Sequence, residues 1–211
     1  MKKNKLLKLA LYLSIITIAY NIVEGIISLY FGLEDETLAL FGFGVDSFVE
    51  VISGIGVLHM VLRMQKSDVS MHDKFEKTAL RITGTVFYVL VVGLVVGSIL
   101  NIIYDVKPTT TLVGIIISSI SIFTMYVLMK AKLKVGKELN SEAIIADANC
   151  TKACFYLSFI LLASSGLYEI LGIVYFDIIG ALGISYFAFK EGKEAFQKAN
   201  SNKIGCCDSC H

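Results

Sequence analysis

Apolar stretches about 20 residues long recur along this chain, and they limit it more than any other feature. A helix of that length rises about 30 Å, which matches the hydrocarbon thickness of a bilayer. In hydrocarbon every backbone polar group needs a partner, so runs of this length and periodicity can only be helices. They fall at about 6–30, 37–62, 80–104, 111–130, 142–164 and 172–190. The composition agrees. The 211 residues are 55% hydrophobic with a single proline, whereas soluble domains are nearer 45–50% apolar. The expected fold is an all-α integral membrane protein: six transmembrane helices within residues 1–190, then a short tail at 191–211.

The first run begins "MKKNKLLKLALYLSIITIAY", which imitates a secretory leader. It has no small-x-small cleavage site and continues through "NIVEGIISLYFG", so it reads as a retained helix. Seventeen of the nineteen Lys and Arg lie on one side, at or beyond the start of run one, the end of run six, or the facing ends of runs two and three and of runs four and five. Such asymmetry places both termini in the cytoplasm and the protein in the cell membrane. It accounts for the net charge of +1 as a matter of topology and leaves no nucleic-acid footprint. Of the five cysteines, two lie at membrane depth and three in a tail expected to be cytoplasmic and reduced, so no structural disulfide is expected.

Ionisable groups inside a membrane are costly, and their default reading is functional. None occurs between Ile82 and Tyr104 or between Leu112 and Met129. Helices one, two, five and six carry them and must share a polar interior. Asp46 and Glu50 flank the midpoint of helix two, and Cys150 and Cys154 flank that of helix five. Each pair has i,i+4 spacing and so shares one helix face. A lone membrane cysteine is usually a small hydrophobe. Two adjacent carboxylates at mid-membrane, however, need protons or a cation. Two carboxylates and two thiols suit a tetrahedral divalent ion of borderline softness. A weak internal repeat aligns "LALFGFGVDSFVE" (38–50) with "EAIIADANCTKAC" (142–154), matching Asp46 to Cys150 and Glu50 to Cys154. Small residues before each pair would allow close helix approach. The two helices run in opposite senses, as in the inverted repeats of many transporters.

With these features the chain resembles the cation diffusion facilitator family of metal/proton antiporters. "TLALFGFGVDSFVE" is similar to the family's helix-two motif, with Asp46 and Glu50 in the ligand positions. "SEAIIADANCTKACFYLS" is similar to its helix-five motif, with Cys150 and Cys154 where His and Asp are usual. Asn21 and Asp177 also fall at family positions, although Ile178 stands where proline is frequent. The resemblance implies an antiporter that exports divalent heavy metal in exchange for protons, works as a homodimer, and here lacks the family's C-terminal cytoplasmic domain. Zn2+ is the first expectation for the substrate and Cd2+ the second, with no organic cofactor and no enzymatic activity.

The ligands themselves explain the coupling. A free thiol titrates near about 8.5, so an apo site holds protons that metal must displace. Asp147, a turn before Cys150, is placed to attract the ion on entry. Glu24 and Asp177 are placed to line an exit, and Asn21 to hydrogen-bond nearby; interhelical hydrogen bonding is the structural alternative for each. Four anionic ligands would require a proton or a nearby cation, and Lys152 lies on another face. The tail "IGCCDSCH" sets Cys206, Cys207, Cys210 and His211 together as a metal-capture cluster, with a tail of no function as the equal alternative. Gly93-x-x-x-Gly97 in helix three has the spacing of a close helix contact and marks the expected dimer face. A membrane enzyme with a cysteine nucleophile would need a base at depth, and no histidine lies there. A metal sensor or chaperone that transports nothing is the alternative reading.

Overall fold

The computed structural model describes residues 2–64, 74–140 and 142–200. Six helices account for nearly all of them: α1 Lys2–Glu34, α2 Leu38–Met64, α3 Lys74–Tyr104, α4 Leu112–Leu139, α5 Glu142–Leu171 and α6 Tyr175–Asn200. Five are long and apolar enough to cross a bilayer. In α6 the apolar stretch ends at Lys190, and Glu191, Lys193 and Glu194 follow within the helix. Each helix continues beyond its apolar run. One correction is α4, which extends to Leu139 where a lysine-rich connection was expected after residue 130.

Local chemistry sets the ends. The one proline, Pro108, sits in the α3–α4 connection, where its missing N–H breaks no helical bond. α4 stops at Asn140, which takes a left-handed conformation (φ 49°) and returns its N–H to Gly136 and Lys137 carbonyls. Gly172 (φ 65°) closes α5 the same way, donating to Tyr168 O at 2.7 Å.

The helices pack as antiparallel pairs, α1 with α2, α4 with α5, and α3 with α6. In lipid no hydrophobic force drives helices together, so close approach at small residues matters most. A Cβ on Gly32 would lie 2.6 Å from Phe41 N, and one on Gly44 2.8 Å from Leu29 N. These two glycines let α1 and α2 touch backbone to backbone. One apolar cluster joins Leu40, Phe43, Leu94, Leu157 and Ile184 from α2, α3, α5 and α6. A second joins Leu13, Met125, Leu128 and Cys154 from α1, α4 and α5. The outside is apolar too: Ile116, Ile120, Phe123 and Val127 form an exposed stripe along α4. An apolar exterior at helical spacing is the surface that hydrocarbon requires.

Polar contacts lace the end opposite the chain termini. Thr109 N donates to Asp35 O at 3.0 Å, and Tyr168 Oη to Pro108 O at 2.6 Å. The Glu169 carboxylate accepts from both N–H and Oγ1 of Thr111, each at 3.0 Å.

Candidate metal centre

Asp46 and Glu50 project from one face of α2, one turn apart, and Cys154 projects from α5. One ligand atom from each lies within 4.8 Å of the other two. The Cys154 thiol is in direct contact with Glu50 Oε1. Asp46 is 2% exposed and Cys154 3%. Ligands at about 2.0–2.3 Å around one tetrahedral ion are separated by distances of this order, so the three atoms fit a single dication. Glu50 and Cys154 occupy matching positions of the internal repeat. Cys150 belongs to α5, but its side chain and that of Asp147 lie outside the described residues, as do Cys206, Cys207, Cys210 and His211.

α1 supplies the surroundings. Asn21 Nδ2 donates to Glu50 Oε2 at 2.8 Å and so fixes the carboxylate that touches Cys154. Asn21 Oδ1 is buried with no hydrogen-bond partner among the described residues. A buried orphan acceptor is uncommon, and here it adjoins the proposed ligands. One turn on, Glu24 is buried and both its oxygens are taken: Tyr20 Oη donates at 2.8 Å and Ser47 Oγ at 3.1 Å. Ser121 of α4 also faces this carboxylate, and Ser158 Oγ lies 2.9 Å from Ser121 Oγ and donates to Cys154 O at 2.8 Å. A row of hydroxyls therefore runs from Glu24 to the backbone of Cys154.

Asp177 has a different place. Its two oxygens accept from the backbone N–H groups of Leu38 at 3.0 Å and Ala39 at 3.2 Å. These are the first two residues of α2, whose N–H groups have no partner inside that helix. Asp177 thus caps a neighbouring helix and stands outside the ligand group. Gly93 and Gly97 also part company. Nothing lies within 4 Å of a Cβ built on Gly93, whereas one on Gly97 would meet Leu38 Cδ1 at 3.0 Å. Only Gly93 is open to the surroundings.

The sequence reading missed Lys132, which it counted among loop lysines. Lys132 is 2% exposed and donates from Nζ to Thr151 Oγ1 at 3.1 Å. The buried face of α4 gives the signal that would have found it: Ser118, Ser121, Met125, Leu128, Lys132 and Val135 follow one another at steps of three and four, without a break at residue 130. The Lys152 ammonium instead lies over the Tyr156 ring, 5.7 Å from its centroid.

Comparison with known proteins gives the family. The chain is 29% identical over 185 residues to an uncharacterized transporter of Methanocaldococcus jannaschii; the match covers 83% of this chain and 64% of that relative's length. Residues 10–201, from the first third of α1 to just past α6, match the family model for the cation efflux transmembrane domain. By this match the chain belongs to the cation efflux, or cation diffusion facilitator, family.

Proposed function

We propose that this membrane cation transporter exports a divalent heavy-metal ion from the cytoplasm in exchange for protons, with Zn2+ as the preferred substrate and Cd2+ next. The observation that carries the reading is the convergence of Asp46, Glu50 and Cys154 to within 4.8 Å in the helical interior. Two hard oxygens and one soft sulfur favour a borderline ion over Mg2+, which prefers oxygen alone, and over Cu(I), which prefers sulfur. Cys150, four residues earlier in the sequence, is the fourth ligand of this proposal.

Coupling follows from what the ligands hold when no metal is bound. Empty, the two carboxyls and the thiols carry protons, because several anions cannot share an apolar interior. Binding displaces those protons, and protons returning from the other side eject the metal. Apparent metal affinity should therefore rise with pH. Asn21 keeps Glu50 turned toward Cys154, and Glu24 stands next in line as a proton or metal acceptor on the far side of the site. Both chain ends face the cytoplasm by the distribution of basic residues. A homodimer would form on the outer face of α3, where Gly93 is open.

Proteoliposomes test the reading. Uptake of Zn2+ should need an opposing proton gradient and fall to background in Asp46→Asn. Uptake that ignores the gradient, or survives that change, would overturn it. Binding without flux would point to a sensor.

A further inference from the structure

Helix α1 carries a polar stripe along its buried side. Ser14, Thr17, Asn21, Glu24 and Ser28 follow one another at steps of three and four, so they share one face, and all five are buried. Tyr12, Ile16, Val23, Ile26 and Tyr30 of the same helix are exposed. Asn21 touches the metal centre through Glu50. Ser28 stands seven residues further on, a rise of about 10 Å toward the end opposite the chain termini. Serine and threonine inside a helix commonly bond back to the carbonyl four residues before. Ser14 and Thr17 do so, donating to Ala10 O at 3.2 Å and Leu13 O at 2.9 Å. Ser28 does not. It is fully buried, and its Oγ has no hydrogen-bond partner among the described residues. Asn21 Oδ1 is the other unpartnered oxygen of the stripe, and Glu24 lies between the two along the helix. A small side chain is needed here, because a Cβ on Gly44 would lie 2.9 Å from Ser28 Cβ. Alanine would serve that packing equally, without the desolvation cost of a bare oxygen. The hydroxyl itself needs a reason.

We propose that Ser28 is a transient ligand on the route by which the dication leaves the metal centre, passing from Asn21 along α1 by Glu24 and Ser28 toward the end opposite the termini. This rests on the reading of Asp46, Glu50 and Cys154 as the metal ligands. The route offers oxygen donors with one carboxylate among them and no sulfur. It therefore holds a borderline ion less tightly than the centre does, and an ion released from the centre moves on. Tyr20 and Ser47 fix the Glu24 carboxylate midway, at 2.8 and 3.1 Å. Asp177, which the sequence placed at the exit, is occupied in capping α2, so α1 supplies the exit in its place.

The test places a soft donor on the route. Ser28→Cys is made in protein whose Cys206, Cys207 and Cys210 are serine, and folding is checked by circular dichroism. The new thiol lies one turn from Glu24 on the same face, so a passing Cd2+ is caught there. Titration with Cd2+ alone should show an additional equivalent with its own thiolate-to-metal ultraviolet band, and Cd2+ flux into proteoliposomes should fall on the order of tenfold. No additional Cd2+, or capture that leaves flux unaltered, overturns the proposal, since residue 28 would then lie off the route. Should Ser28→Cys fail to fold, Ser28→Ala decides. It should slow Zn2+ flux by about threefold to tenfold at unchanged Zn2+ affinity and unfolding temperature, whereas unchanged flux reduces Ser28 to packing and overturns the proposal. Parent protein that binds no Cd2+, or binds it equally after Asp46→Asn, brings down the metal centre itself, a result distinct from any Ser28 outcome.

Discussion

Asn21 makes the most economical contribution to the site. Its amide holds Glu50 by one hydrogen bond of 2.8 Å, and Glu50 in turn touches Cys154. Partners of this kind, one step removed from a metal, typically change affinity about 10–100-fold when lost. Asn21→Leu should therefore weaken Zn2+ binding by about tenfold or more and leave the helical circular dichroism intact, as titration against a competing chelator would show; unchanged affinity would reduce Asn21 to a packing contact. The residue types at the site were legible in the sequence, because ionisable groups are rare at membrane depth and Asp46, Glu50 and Cys154 share a depth. The partners were not. That Asp177 caps α2 depends on a contact 139 residues away in sequence. Lys132 was hidden for another reason: hydropathy averages over a window, so a lysine at the end of an apolar run reads as loop even where the buried stripe of the helix continues through it.

At the scale of the helix, the site stands on how α2 is held. Its N-terminus is tied to α6 by Asp177, and its flank lies against α1 at Gly44. Replacing Asp177 with Ala removes an N-cap, worth about 0.5–2 kcal/mol. The expected outcome is a lower unfolding temperature in detergent with Zn2+ affinity nearly unchanged; a large loss of affinity would move Asp177 into the metal site. Gly44→Val is a harsher change. Its side chain would meet Leu29 N and Ser28 Cβ within 3 Å, and backbone cannot step aside as a flexible side chain can. Loss of folded protein, or loss of binding with α1 and α2 forced apart, is expected from gel filtration and metal titration. The helix count and order were legible from apolar runs, and their ends less so. Amphipathic continuations such as that of α4 to Leu139 carry too many lysines to pass for membrane, yet they continue the helix.

The whole molecule is three antiparallel helix pairs with an apolar exterior, one polar interior and a laced end opposite its termini. The open Gly93 gives a simple check on assembly. Gly93→Cys in native membranes should form an intermolecular disulfide under mild oxidation, and failure to cross-link would move the dimer contact off that face of α3. The central claim is that two acids and a sulfur from α2 and α5 hold one metal ion. X-ray absorption on Zn2+-loaded protein tests it most directly, with Cys206, Cys207 and Cys210 replaced by serine so that the tail supplies no sulfur. The expected result is one Zn2+ per chain, in a mixed oxygen and sulfur shell with sulfur at about 2.3 Å that diminishes in Cys154→Ser. A shell without sulfur, or one that Cys154→Ser leaves unaltered, would contradict it.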